Sequence, residues 1–174
     1  TENFSWGNAR TRRKDFWTEE VAKDWYNTLD SARTRLISCY NCPMKCAATL
    51  TLPGLPTYMM KCFSKLTYTM AAMSDLKFGL TIAQRATEYG LDGYSTTHVM
   101  AFTLEIYENG ILTDKDMPGL PEDNEEKFFW LIDKIANREG IGDVLANGTY
   151  WAAKEIGNGA DEYAHNNIKK HEQL

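Results

Sequence analysis

The chain has 174 residues, of which 43% are hydrophobic and 25% are charged, and its formal net charge is −5. This composition is typical of a globular protein with a core of its own, in one domain or one and a half. The acidic balance gives no reason to expect nucleic acid or an anionic membrane as a partner. No apolar run approaches the ~20 residues needed to span a bilayer, so no transmembrane segment is expected.

Helical periodicity dominates the chain. Apolar periodicity, Met-rich and aromatic composition or helix-end residues predict seven helices, over residues 15–37, 57–73, 74–89, 96–107, 125–138, 142–156 and 160–167. Ser74 and Ser95 are predicted N-caps, and Gly90 is predicted to end the third helix. No stretch combines alternation with β-branched enrichment, so no strand is predicted. The sequence therefore predicts an all-α fold, an irregular orthogonal bundle of six to seven helices.

The two ends of the chain look like positions inside a longer polypeptide. The chain begins at Thr1 rather than at Met and ends at Leu174 without an obvious stop. We therefore expect a fragment of a larger multidomain chain, in which a site is divided between this part and others. Unpaired cysteines and no visible signal peptide predict a cytoplasmic protein.

The four cysteines are the strongest chemical signal. Cys39, Cys42 and Cys46 have C-x2-C-x3-C spacing, and Cys62 follows further along the chain. Thiolate is a soft ligand that suits Fe–S clusters, zinc or copper(I). Several cysteines in one loop, with the last ligand from elsewhere, are typical of an Fe–S cluster. A four-thiolate zinc site stays open, although the second close pair of a typical zinc site is missing. A disulfide framework is less favoured, because the loops between the cysteines are tight and the core does not need disulfide bonds for its stability.

Three motifs follow one another in a recognisable order. They are Cys39-x2-Cys42-x3-Cys46 with Pro43; Glu88-Tyr89-Gly90-Leu91-Asp92 followed by Ser95-Thr96; and Arg138-Glu139-Gly140-Ile141-Gly142-Asp143-Val144-Leu145-Ala146-x-Gly148. Over about residues 30–174 this arrangement resembles the helical middle region of the tungsten-containing aldehyde ferredoxin oxidoreductase family. The resemblance implies that residues 1–174 form the helical middle domain or domains of a tungstopterin oxidoreductase. It places an Fe–S loop at residues 39–46 and a pterin-binding turn at residues 87–96.

The resemblance also implies two cofactors. In that family the dithiolenes of two pterins hold a tungsten ion, and one [4Fe–4S] cluster lies beside one pterin. Cys39, Cys42 and Cys46 would be three of the four cluster ligands, and the fourth would come from a later domain.

The pterin motif of the family, Asp-x-x-Gly-Leu-Asp, is matched only in part. Gly90, Leu91 and Asp92 agree with it, whereas Thr87 stands where the family has Asp. A Thr hydroxyl offers fewer hydrogen-bonding sites than a carboxylate and no charge. We therefore expect either a weaker contact from Thr87 or a substitute contact from Glu88. Asp92 is the expected polar contact to the pterin, and its alternative role is to cap a turn.

Cys62 separates two branches of the family. Aldehyde-oxidising members carry a Glu near this position, which serves as a proton donor or acceptor. A thiolate is a poor general base and a good soft-metal ligand. The pattern resembles the tungsten subunit of the ATP-independent, class II benzoyl-CoA reductases, which implies Cys62 as a catalytic tungsten ligand. Two alternatives stay open, a buried inert cysteine and the fourth cluster ligand.

The implied reaction is the two-electron reduction of the aromatic ring of benzoyl-CoA to a cyclic dienoyl-CoA. Electrons would arrive through the cluster from an iron–sulfur partner subunit, while the remaining domains of the chain complete the site. An aldehyde:ferredoxin oxidoreductase, with an aldehyde in place of the acyl-CoA substrate, is the alternative within the family. Outside it, a non-catalytic Fe–S electron-transfer module and a zinc-stabilised helical module stay open.

Overall fold

The computed structural model describes residues 19–54, 56–61, 76–166 and 169–170. The chain divides between Gln84 and Arg85 into two compact units, called here the first and the second unit. The described residues form six α-helices, a 3₁₀ turn and one small sheet. The predicted helical bundle is therefore confirmed, and the sheet is an element that the sequence did not predict. None of the helices in these ranges is long and apolar enough to cross a membrane.

The first unit begins, in its described part, with helix α1, Glu19–Ala32. The predicted helix over 15–37 was too long at its C-terminal end, because the chain passes directly into strand β1, Arg33–Ile37. These residues pair with another strand instead of continuing the helix. Across that pair the Thr34 hydroxyl donates to Thr49 Oγ1 at 3.0 Å.

The sheet is antiparallel and has three strands in the order β1–β2–β3. Strand β2 spans Ala47–Leu50, and strand β3 spans Tyr58–Lys61. The side chains of the central strand β2 are mostly buried, whereas β1 is exposed at almost every position. Ala47 pairs with Ile37 on one side and with Lys61 on the other, so these three residues mark one end of the sheet.

The helix predicted over 57–73 was wrong in its first turn, which is strand β3. Its Met-rich sequence lacks β-branched residues and shows no alternation, so local propensity gave no strand signal. The rest of that predicted helix, including Cys62, lies outside the described residues, as does the predicted N-cap Ser74.

The elements of the second unit, in its described part, are helices joined by loops. Helix α2, Leu76–Glu88, begins in the first unit and ends in the second. The elements that follow are α3 at Gly93–Glu108, α4 at Asn124–Asn137, α5 at Ile141–Leu145, α6 at Thr149–Ile156, and a 3₁₀ turn at Ala160–Glu162. The single helix predicted over 142–156 is two helices, because Gly148 breaks it with a φ of 87°. The short helix predicted over 160–167 is reduced to the 3₁₀ turn.

The core of the second unit is built on α3 and α4. Helix α3 is buried along most of its length. Helix α4 buries one face, formed by Phe128, Leu131, Ile132 and Ile135, which follows the i, i+3, i+4, i+7 spacing of an amphipathic helix. Helix α5 lies against α4, and a Cβ on Gly142 would be 2.1 Å from the Lys134 carbonyl oxygen. The close approach of these two helices therefore requires glycine at this position.

Candidate functional site

The predicted cluster ligands share one loop of the first unit. This cysteine loop, residues 38–46, joins β1 to β2 and is closed by the Ile37–Ala47 pair. The Cys42 N–H donates to the Cys39 carbonyl at 3.1 Å, which places these two cysteines in a single turn. Cys46 directly precedes β2. The sheet therefore fixes both ends of the segment that carries the three thiols.

Two residues of the cysteine loop have left-handed backbone conformations. Asn41 has a φ of 57° and Lys45 a φ of 44°. Asn adopts this conformation readily, whereas for Lys it costs about 1–2 kcal/mol. Each of these residues directly precedes a cysteine. Backbone strain of this kind is concentrated at functional segments, where the surrounding structure or a ligand maintains it.

The donor chemistry of the loop suits a soft metal or an Fe–S cluster. Cys39, Cys42 and Cys46 are free thiols; Cys39 and Cys46 are exposed, and Cys42 is half-buried. Within the described ranges, no group of three or more His, Cys, Asp or Glu side chains is gathered as a metal-ligand set. The loop thus supplies three reduced soft donors on one segment, which fits three ligands of a cluster completed from elsewhere.

Large apolar side chains stand beside the thiols. Tyr40 is 102% exposed and Met44 is 76% exposed. Both lie between the cysteines in the sequence. The loop therefore presents apolar surface together with its sulfur donors.

Cys62, the predicted tungsten ligand, lies outside the described residues. The residue before it, Lys61, pairs with Ala47, which is the residue after Cys46. The described part of β3 therefore ends beside the residue that follows the cysteine loop.

The predicted pterin turn belongs to the second unit and has a well-defined backbone. The Leu91 N–H donates to the Ala86 carbonyl at 2.8 Å, and the Gly90 N–H donates to the Thr87 carbonyl at 3.0 Å. This is a Schellman motif, with Gly90 in the left-handed conformation at φ 70°. The predicted helix end at Gly90 is thus confirmed. Thr87 lies on the exposed last turn of α2.

Asp92 is the N-cap of α3. Its Oδ2 accepts a hydrogen bond from the Ser95 N–H at 2.8 Å. The prediction that Ser95 caps this helix was wrong, because α3 begins at Gly93, so that Ser95 lies inside the first turn. Asp92 is exposed at the junction between the turn and the helix, so its capping role and a role in ligand binding are compatible.

A three-residue cluster that the sequence did not reveal holds the end of α2 against α4. The Asp133 carboxylate accepts hydrogen bonds from Arg85 Nε at 3.2 Å and Nη2 at 3.0 Å, and from the Tyr89 hydroxyl at 2.7 Å. The hydrogen bond to Asp133 is the main reason that the pKa values of Arg85 and Tyr89 are raised. The i, i+4 spacing of Arg85 and Tyr89 was visible, but their common partner lies far away in the sequence.

The family of the chain follows from its sequence as a whole. Residues 1–173 match the family model described as aldehyde ferredoxin oxidoreductase, domains 2 & 3, and the chain belongs to this family. The tungsten-containing aldehyde ferredoxin oxidoreductase of Pyrococcus horikoshii is 32% identical over 147 residues, which are 77% of this chain and 23% of that protein. The aliphatic sulfonate oxidoreductase, WOR-like subunit, of Pyrococcus furiosus is 44% identical over 70 residues, which are 40% of this chain and 11% of that protein.

The comparison with solved structures includes one whose similarity covers the full length of the chain. It is the active site complex BamBC of benzoyl coenzyme A reductase in complex with 1,5-dienoyl-CoA, with a TM-score of 0.85 and 76% sequence identity. The similarity covers 100% of this chain and 27% of that one. The chain therefore spans about a quarter of the length of the Pyrococcus horikoshii enzyme and of this solved chain. The predicted family and branch are confirmed.

Proposed function

We propose that this chain is part of a tungsten-bis-pterin, [4Fe–4S] oxidoreductase that reduces the aromatic ring of benzoyl-CoA to a cyclic dienoyl-CoA. Two electrons and two protons added to the ring balance this reaction. The observation that carries the proposal is the 76% identity with the benzoyl-CoA reductase complex over the whole chain. That identity is far above the 32% shared with an aldehyde ferredoxin oxidoreductase.

The cysteine loop is proposed to hold three corners of the cluster. Cys39, Cys42 and Cys46 would be its ligands, and the fourth ligand would come from outside this chain. When bound, a [4Fe–4S] cluster supplies one-electron transfer. The free thiols and their position on a single loop support this role. The exposed side chains of Tyr40 and Met44 are available for contact with the remaining domains or with an iron–sulfur partner subunit.

The turn of the second unit is proposed to bind one pterin. The backbone at Gly90 is accessible to a ligand, because the residue has no side chain and no atom lies within 4 Å of the position that a Cβ would occupy. Leu91 and Asp92 follow at the beginning of α3, and Thr87 precedes them with a hydroxyl in place of the family carboxylate. When bound, the tungsten–pterin group supplies the two-electron chemistry at the substrate.

Cys62 is proposed as a thiolate ligand of the tungsten, in the place where aldehyde-oxidising relatives have a carboxylate. A thiolate there binds a soft metal and is a poor proton carrier. The protons for ring reduction would then come from a donor outside this chain. The free thiols of the cysteine loop support a location in a reducing compartment, which is the cytoplasm.

Aldehyde oxidation is the second candidate. The 32% identity to the Pyrococcus horikoshii enzyme over 77% of the chain supports it. Cys62 in place of a carboxylate argues against it, because aldehyde oxidation needs a group that exchanges protons next to the metal.

The test is metal analysis and turnover of the full-length protein purified without oxygen. We expect about one tungsten and at least four iron atoms per chain (the cofactor set), and reduction of benzoyl-CoA with a low-potential dye as electron donor. Turnover of aldehydes without benzoyl-CoA reduction would favour the second candidate. Iron without tungsten or molybdenum would indicate an electron-transfer module, and zinc alone a structural site.

A further inference from the structure

The end of α2 is attached to α4 by one carboxylate. Asp133 accepts two hydrogen bonds from Arg85 at its Oδ1 and a third at its Oδ2, where Nη2 lies at 3.3 Å. The Tyr89 hydroxyl donates to the same Oδ1 at 2.7 Å. The guanidinium carbon of Arg85 also lies 4.9 Å from the centre of the Tyr89 ring. Two side chains one helical turn apart therefore meet a single acceptor on the neighbouring helix.

These two side chains belong to the segment that forms the turn. Tyr89 directly precedes Gly90, and the Tyr89 N–H donates to the Arg85 carbonyl at 3.1 Å in the last bond of the helix. Residues 87–90 are exposed. Exposed helix ends are among the first parts of a protein to open. The hydrogen bonds to Asp133 oppose that opening at the residues next to the turn.

The position of Asp133 gives the attachment a firm base. It lies on α4 between Ile132 and Ile135, whose side chains are buried in the core of the second unit. The core thus fixes the backbone of α4 at Asp133, and the carboxylate accepts hydrogen bonds from Arg85 and Tyr89.

We propose that Asp133 is a positioning residue for the turn at Gly90–Asp92, which it holds in its ligand-binding conformation through Arg85 and Tyr89. The inference rests on the proposed pterin-binding function of that turn. It assigns to Asp133 no contact with the pterin.

A positioning role differs measurably from a stabilising role. The Arg85 and Asp133 side chains are 42% and 41% exposed, and salt bridges at such exposure contribute little to global stability. By contrast, groups that orient the residues around a bound metal centre change its affinity by about 10–100-fold when they are removed. Loss of Asp133 should therefore affect retention of the cofactor much more than unfolding.

The test uses the full-length, cofactor-loaded protein and the variant Asp133→Asn. The rate at which tungsten and pterin leave the protein is measured after anaerobic desalting, and thermal unfolding is followed in parallel. We expect release about tenfold faster, with the unfolding midpoint within about 2–4 °C of the wild type. Tyr89→Phe, which removes one hydrogen bond and keeps the ring, should accelerate release in the same direction.

Asp143→Asn is the matched control. It breaks the Arg138–Asp143 ion pair, 2.8 Å long and 55% and 61% exposed, which lies in the same unit and does not touch the turn. The control should release tungsten at the wild-type rate. Wild-type release from Asp133→Asn and Tyr89→Phe, or equal acceleration in Asp143→Asn, would overturn the positioning role. A variant Asp133→Asn that simply unfolds, with Tyr89→Phe unchanged, would also overturn it.

The same experiment separates this proposal from the function on which it rests. A wild-type protein that contains neither tungsten nor pterin would remove the proposed function, and the positioning role with it. A wild-type protein that contains both, with unaffected variants, would remove only the role of Asp133.

Discussion

At the scale of single residues, Gly142 shows how a close helix contact constrains the sequence. Helix α5 is short, and it packs directly on the backbone of α4. An added Cβ would lie 2.1 Å from the Lys134 carbonyl oxygen and 2.8 Å from the Ile135 nitrogen. Backbone atoms cannot move aside as the end of a flexible side chain can. The two helices would have to separate.

We therefore predict that Gly142→Ala destabilises the second unit. Overpacked cores lose about 1–3 kcal/mol, and a clash with backbone should reach the upper end of that range. The comparison is Gly110→Ala, where φ is 75° and no atom lies within 4 Å of the new Cβ. That change costs only the left-handed conformation, about 1–2 kcal/mol. Thermal unfolding and amide exchange of α4 and α5 would measure both effects, and a milder loss in Gly142→Ala would contradict the steric argument.

At the scale of elements, Asp92 lies at a junction, because it directly follows the Schellman turn that ends α2 and is the N-cap of α3. Because Asn caps helices about as well as Asp, Asp92→Asn should keep the cap and lose only the charge. Asp92→Ala should lose both, with about 1 kcal/mol less stability. The pair of variants therefore separates capping from binding.

For a pterin-binding Asp92 we predict that Asp92→Asn has wild-type thermal stability and retains less pterin after desalting. Charge-assisted hydrogen bonds are roughly twice as strong as neutral ones, which gives the direction of the effect. Full pterin retention in Asp92→Asn, together with a loss of stability in Asp92→Ala, would show that Asp92 caps α3 and does not bind the pterin.

The elements also show what could be predicted from the sequence. Helices α3 and α4 were predicted within a few residues, because their periodicity and terminating residues are local signals. The strands were missed for a physical reason. Strand β1 is exposed at almost every position and so carries no alternating pattern, and β3 is Met-rich without β-branched residues. Both are strands because they pair with β2, and pairing partners are not encoded within a short window.

At the scale of the whole molecule, the candidate site shows the same difference between local motifs, which the sequence predicts, and long-range contacts, which it does not. The cysteine loop and the turn at Gly90 were predictable, because each is a compact motif with its own spacing. Asp133 was not, since it lies 44 residues after Tyr89 and only the fold of the second unit brings the two side chains together. The chain covers 27% of the benzoyl-CoA reductase chain it resembles, so groups that complete the site are expected outside it.

Cys62 provides the decisive prediction for the assembled protein, because its thiolate is a candidate ligand either of the tungsten or of the iron–sulfur cluster. Lys61, the residue before Cys62, pairs with Ala47, the residue after Cys46. With Cys62 on tungsten, Cys62→Ser should remove one sulfur from the tungsten-edge absorption and leave the iron content unchanged. Cys42→Ser, the control, should lower the iron content and keep that sulfur. An unchanged number of tungsten-bound sulfurs in Cys62→Ser, with an altered cluster spectrum, would instead make Cys62 the fourth cluster ligand. The assignment to the benzoyl-CoA reductase branch would then rest on sequence similarity alone.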